Sequence, residues 1–353
     1  MPRPRNREAS ASFPGILAAP FLSCASLACE EEESLAVGGQ AVMEGVMMRN
    51  GGVCSLAVRQ GDGVIVVENR PWVSLFEAGF FKKPGIRGFP LLLETMVNGV
   101  KALNRSAELS MEAEGEELKT WQLVLTLVAA FIFALALFVV APHFLTILLN
   151  YLHISGGVEG FSFHLWDGLI KFAIFLLYIL MISRLRDIRR VFEYHGAEHK
   201  SIAAYESGIR PVNVSLAEGQ SRLHPRCGTT FLLFVLSIAI LLHVLMLPLL
   251  LLFWTPSGAA QKHLVVILLK LALMAPISAL AYEAIRLGAR LGESLAGKLL
   301  RAPGLLLQML TTREPDGKQL EVALAALAEA LKRHSLAEAG EVRAAPYTVL
   351  EKN

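Results

Sequence analysis

Residues 231–254 read FLLFVLSIAILLHVLMLPLLLLFW, and their reading decides the fold. The run contains no acidic residue and no lysine or arginine, and His243 is its only titratable side chain. A helix needs roughly 20 apolar residues to cross a hydrocarbon core about 30 Å thick. A soluble helix of this length would carry a polar stripe, and this one has none. Three further runs meet the same standard. Trp121–Pro142 reads WQLVLTLVAAFIFALALFVVAP, Leu165–Ser183 contains GLIKFAIFLLYILMIS, and His263–Ile285 reads HLVVILLKLALMAPISALAYEAI. The second and fourth each hold one lysine, Lys171 and Lys270.

Composition agrees. The 353 residues are 54% hydrophobic and only 18% charged, and the mean hydropathy is +0.50, values that belong to a membrane protein. The formal net charge is +2. With no basic stripe interleaved with aromatics, nucleic acid is excluded as a partner. The four cysteines, Cys24, Cys29, Cys54 and Cys227, form no CxxC pair, so neither a disulfide framework nor a zinc ribbon is indicated.

Basic residues in the loops orient the spans. Residues 143–164 carry no Lys or Arg, and only Lys262 lies between the third and fourth runs. The central loop, 184–229, holds Arg184, Arg186, Arg189, Arg190, Lys200, Arg210, Arg222 and Arg226, and Arg286, Arg290, Lys298 and Arg301 follow the fourth run. The expectation is a multi-pass protein of a bacterial inner membrane, with both termini and the central loop cytoplasmic. In that compartment the thiols are reduced. Residues 1–36 contain MPRPRNR, FPGILAAPFLSCASLAC and EEEES, which reads either as a short secretory signal or as an extension ahead of the domain.

The fold class expected is a mainly α membrane protein. Four transmembrane helices (119–285) join a small β-containing N-terminal domain (37–72), a loop and amphipathic helix (73–118), a helical segment (286–335) and a tail (336–353). VCSLAVR and VIVVEN, joined through QGDG, are strands of a sheet of three or more. Leu92, Met96, Gly99, Val100 and Leu103 form a stripe on a helix from Phe89 to Ser110, which rests on the domain or lies in the membrane interface. Leu320, Leu324, Leu327 and Leu331 make an amphipathic helix after a turn at Asp316-Gly317.

The central loop contains YHGAEHK, residues 194–200. On a helix from Arg184 to Glu206 that continues the second span into the cytoplasm and stops at Gly208, His195 and His199 share a face with Cβ atoms about 5–6 Å apart. They can grip one divalent ion, zinc in the first instance, with Glu198 as the base. H-x-x-E-H is the order of the inverzincin peptidases, and such an ion lowers the pKa of its water to about 7. Gly196 costs about 1 kcal/mol relative to alanine within a helix, which fits close approach of a backbone or ligand. Catalytic zinc usually takes three protein ligands. The candidates are Glu206 on the same face and His224 or Cys227 in SRLHPRCGTTF, while Arg226 offers a site for an anion such as a lipid phosphate. The cluster equally reads as a structural polar group that fixes a loop. His143, His153, His164 and His243 stand at no suggestive spacing and read as ordinary.

Two more places carry polar groups. Glu44 and Arg49 in GGQAVMEGVMMR either form a solvated ion pair on an edge strand or reach the histidine cluster. Glu283, near the end of the fourth span, either snorkels or joins a site.

GGQAVMEGVMMR, YHGAEHKSIAAYESG, NVSLAEGQSRLHPRCGTTF and PGLLLQMLTTREPDGKQLEVAL, in that order over residues 37–332, resemble the YqhQ-like family of bacterial multi-spanning membrane proteins. That family is a domain of unknown function whose members are sometimes described as predicted metal-dependent enzymes. The resemblance places its polar signature on Glu44, Arg49, His195, Glu198, His199, His224, Arg226 and Cys227. The expected function is a metal-dependent hydrolase working at the cytoplasmic face on a peptide or lipid-derived substrate. The alternative is a transporter or scaffold, with Lys171, Lys270 and Glu283 facing a cavity and a cytoplasmic protein or anionic lipid as partner.

Overall fold

The computed structural model describes residues 37–76, 78–112, 120–225, 227–253, 256–292 and 294–338. Residues 1–36, where signal and extension were the alternatives, and Arg226 lie outside them.

Four strands, β1 (Gly38–Val42), β2 (Gly45–Asn50), β3 (Val53–Arg59) and β4 (Ile65–Pro71), form an antiparallel meander in the order β1-β2-β3-β4. Leu56 pairs with Met47 on one side and Glu68 on the other. The period of two that marks VCSLAVR as a strand sends alternate residues to opposite faces. Cys54, Leu56 and Val58 pack with Val66, Ala102 and Leu109 under helix α1 (Gly88–Glu112). Ser55 and Asn69 face the other way, where Asn69 donates to Glu329 at 2.8 Å. Both faces of the small sheet are therefore covered.

The first apolar run continues past Pro142. Helix α2 (Thr120–Leu135) passes through one wide π turn (Ala136–Val140) into α3 (Ala141–Tyr151). Pro142 stands in the first turn of α3, just past the π turn. Next come α4 (Phe161–Ile182), α5 (Arg186–Glu206), the short α6 (Val214–Glu218) and α7 (Gly228–Phe253). Helices α8 (Ala259–Ala272) and α9 (Met274–Arg290) follow, then α10 (Leu295–Thr311) and α11 (Gly317–Glu338). Four segments are long and apolar enough to cross a membrane: Val124–Tyr151, Phe161–Ile182, Gly228–Phe253 and Ala259–Arg290. Phe131, Ile132 and Phe133 in the first are about 60% exposed, an arrangement a bilayer covers and water penalises.

Two sequence expectations are corrected. The helix carrying YHGAEHK does not run on from the second span. The chain breaks at Ser183–Leu185, where Leu185 is extended and Ser183 Oγ donates to the Leu180 carbonyl at 2.9 Å, and α5 begins anew at Arg186. The break frees an amphipathic helix from the direction of an all-apolar one. Nor are the membrane histidines ordinary. His143, His164 and His243 are buried within the four-span bundle together with Asp167, Lys171 and Lys270. Periodicity along one chain cannot show a meeting between four helices.

Helix α11 lies across the sheet. Asp316 and Gln319 cap it reciprocally, each side chain accepting the other's backbone N–H at 2.8–2.9 Å. Its buried stripe is Leu320, Ala323, Ala326, Leu327 and Ala330, so alanines set the close approach and Leu324 and Leu331 remain at its margins.

Candidate metal centre

Helix α5 supplies the histidines, and the residues around α10 fix their rings. His195 donates from Nδ1 to the Thr311 carbonyl at 2.9 Å, and His199 donates from Nδ1 to the Arg222 carbonyl at 2.6 Å. A carbonyl can only accept, so both neutral rings carry their proton on Nδ1 and present a bare Nε2. Cys227, at the threshold of α7, places Sγ 3.1 Å from His195 Nε2. Among the described residues, His195, His199 and Cys227 bring one ligand atom each within 4.8 Å of one another. His199 Nε2 is buried and has no hydrogen-bond partner. An orphaned imidazole nitrogen beside a thiol and a second imidazole is the donor set of a zinc-type site with an open position. Backbone carbonyls on the distal nitrogens provide the outer support that metal-binding histidines ordinarily have. The residues present fit such an ion.

The surrounding charges fit as well. Burial pushes the Glu198 carboxyl up to about 8, against the opposing pull of His195 and a Gly39 N–H bond. Burial pushes His199 down to about 3, with His195 and His224 adding to the effect, which leaves it in the neutral, ligating form. The Cys227 thiol is pushed up by burial, although Thr229 turns both its hydroxyl and its N–H to the sulfur at 3.2 and 3.4 Å. A divalent cation reverses this bias at a coordinating thiol and lowers the cost of a nearby carboxylate.

Gly196 answers to a close approach of backbone. A Cβ there would stand 2.0 Å from the Arg313 carbonyl oxygen. The segment Thr311–Glu314 crosses α5 at that point, tied by Arg313 N–H to the Phe192 carbonyl at 2.8 Å. Arg222 donates to the Thr312 carbonyl at 2.6 Å, and Lys200 pairs with Glu314 at 2.8 Å. Edge strand β1 closes the other side, where a Cβ on Gly39 would stand 2.7–2.8 Å from the Glu198 side chain.

Among the proposed third ligands, Cys227 joins the converging group, while Glu206 and His224 pair with each other at 3.3 Å next to it. The His224 ring centroid is 5.7 Å from that of His199. Glu44 and Arg49 part company. Glu44 sits in the β1–β2 turn with φ +51° and pairs with Arg190 on α5. Arg49 turns away, its guanidinium 3.9 Å over the Trp72 ring. Glu283 is held by both nitrogens of Arg87 at 2.8 Å, so it clamps the start of α1 to the fourth span. Arg226 is not described.

Sequence reasoning missed Gln308 and Thr311. Fully buried Gln308 accepts the His224 N–H at 2.9 Å and donates to its carbonyl at 2.8 Å. The available signal was a lone glutamine inside the apolar LLLQML. Thr311 acts through its backbone carbonyl, which no side-chain pattern reveals.

A cavity of about 510 Å³ opens beside Cys227. Leu92, Met96 and Leu103 of α1 and Phe231 and Leu232 of α7 line it. The stripe on α1 thus faces a hollow shared with the membrane bundle.

The model of the family described as protein of unknown function (DUF1385) matches residues 83–333. The chain is 32% identical over 317 residues to Uncharacterized protein YqhQ of Bacillus subtilis (strain 168), which covers 86% of this chain and 94% of that protein. No solved structure matches. With the family model spanning most of the chain and this relative aligned almost end to end, the chain belongs to the YqhQ-like DUF1385 family.

Proposed function

We propose that the protein is a metal-dependent hydrolase of the bacterial inner membrane, with its site at the cytoplasmic face and both termini on that side. The observation that carries the reading is the convergence of His195, His199 and Cys227, with a buried His199 nitrogen left unpartnered. A divalent ion, zinc by the chemistry of two nitrogens and one thiolate, would polarise the scissile group and activate a water there. His195 and His199 hold their ligand lone pairs in place through Nδ1 bonds to two carbonyls. Burial favours the protonated form of Glu198, so the ion's charge would have to ionise it; as the carboxylate it would take a proton from the attacking water and return it to the leaving group.

The apolar cavity at Cys227 supports a lipid-derived substrate over a peptide, because its walls come from the interfacial helix α1 and from the third span. Arginines of the central loop favour an anionic head group at the same surface.

The test is elemental analysis of the full-length protein purified in mild detergent, beside His195→Ala/His199→Ala. Near-stoichiometric metal in the wild type and its loss in the double variant is the expected result. A folded wild type that takes up no metal, even on addition, would overturn the reading. Glu198→Gln should keep the metal and lose hydrolysis, whereas a scaffold would be indifferent to it.

A further inference from the structure

The intramembrane cluster is wired. Lys270 donates to Asp167 at 2.6 Å and to His143 Nδ1 at 3.2 Å. His143 Nε2 lies 3.0 Å from His263 Nδ1. On the far side, Lys171 reaches the second Asp167 oxygen at 3.5 Å. The result is one line of titratable groups, Lys171–Asp167–Lys270–His143–His263. It runs from the bundle interior to a part-exposed histidine next to Lys262, itself paired with Glu159. His143 occupies the middle with one ring nitrogen toward each neighbour, the arrangement that lets an imidazole accept on one side and release on the other.

Two lysines share one carboxylate here. With both lysines charged, the group carries one uncompensated positive charge, and an unpaired charge in a membrane interior costs several kcal/mol by order of magnitude. Losing one proton makes it neutral. A second observation points the same way. His164 and His243 are 0% and 3% exposed, and among the described residues neither ring nitrogen of His243 has a hydrogen-bond partner. Both lie within electrostatic reach of Lys171, Lys270 and Asp167. Buried imidazoles are normally satisfied, and these two add ionisable groups around the line.

We propose that this line is a proton-exchange centre within the membrane, separate from the metal centre. In the step, a Lys270 Nζ–H bond breaks as a His143 Nδ1–H bond forms. The His143 Nε2–H proton passes to His263 Nδ1, and the His263 Nε2–H proton passes to water. Lys270 is left neutral, and Asp167 is balanced by Lys171 alone. The groups that face the line are His143 from the first span, His164, Asp167 and Lys171 from the second, His243 from the third, and Lys270 and His263 from the fourth.

The experiment is lysine-¹⁵N NMR of the full chain in lipid nanodiscs from mildly acidic to alkaline pH, with a pH-jump measurement of the proton-exchange rate. One buried ammonium should convert to an amine in the wild type. Lys171→Met should abolish that conversion, because one lysine and one carboxylate already balance. His143→Phe should preserve the end states and slow exchange by about 10²-fold or more. Two ammoniums that persist across the range would overturn the proposal. So would an unchanged conversion in Lys171→Met, or a wild-type rate in His143→Phe. If Lys171→Met fails to fold, the wild-type titration and the His143→Phe rate still decide the question.

Discussion

Two polar clusters meet the third span at separate levels, Cys227 just before its start and His243 near its middle, sixteen residues on and about 24 Å away along a helix rising 1.5 Å per residue. They are built on opposite principles. At the first, both distal nitrogens are tied to carbonyls, so the near atoms His195 Nε2, His199 Nε2 and Cys227 Sγ converge on one another. At the second, Asp167, Lys171, Lys270 and His143 spend their hydrogen bonds on each other. The first is a set of donors organised for something that arrives; the second is a chain of mutual partners that leads out through His263. The difference teaches that burial alone does not identify a site. What matters is whether the buried atoms aim at a shared point or at each other.

The largest test of this contrast is Asp167→Leu. It strands two lysines inside the bundle and should cost about 3–5 kcal/mol, as breaking a buried pair does. Adding Lys171→Met and Lys270→Met should recover most of that loss, because a well-packed apolar replacement is often neutral. Thermal unfolding in detergent measures both, and an Asp167→Leu protein as stable as wild type would dissolve the contrast.

Gly196→Ala comes next. Its Cβ meets a backbone carbonyl that cannot rotate away, so α5 and the crossing segment must separate, at a cost of about 1–3 kcal/mol. Bound metal should fall with it, since that segment carries the Thr311 carbonyl. Full metal content in Gly196→Ala would show that the crossing does not set the His195 ring.

A subtler variant is Thr229→Val, which removes the hydroxyl at the Cys227 sulfur. It should lower metal affinity by about tenfold, the lower end of what outer support contributes, without changing the melting temperature. Competition with a chelator reads this out.

The smallest effect contrasts two buried carboxylates. Glu198 has no Lys or Arg paired with it among the described residues, and burial pushes it up. Glu68 is buried too, which opposes its charge, yet Arg105 at 2.7 Å and Arg70 at 3.1 Å hold its carboxyl below the usual value. A depressed carboxylate stabilises the fold above its unfolded pKa and loses that contribution as pH falls through its folded value. Arg105→Met should therefore move the acid limb of the stability curve to higher pH. An unmoved acid limb would mean that Arg70 alone suffices.

How much was legible follows from the range of the forces concerned. The four apolar runs, the strands VCSLAVR and VIVVEN and the turn at Asp316-Gly317 were readable because transfer free energy and local hydrogen bonding act within a few residues of sequence. The same locality put His195 and His199 on one helical face and flagged Gly196 as a point of close approach. Sequence could not choose among Glu206, His224 and Cys227. That depended on where the end of the central loop lands on α5, and Gln308 and the Thr311 carbonyl some 80 residues later fix that landing. It also passed over His143 and His243, each the one histidine of its span, and over His164, although Asp167 and Lys171 stand three and seven residues on along the same helix. Only packing four helices together places them around Asp167, where low dielectric makes each other the nearest available partner.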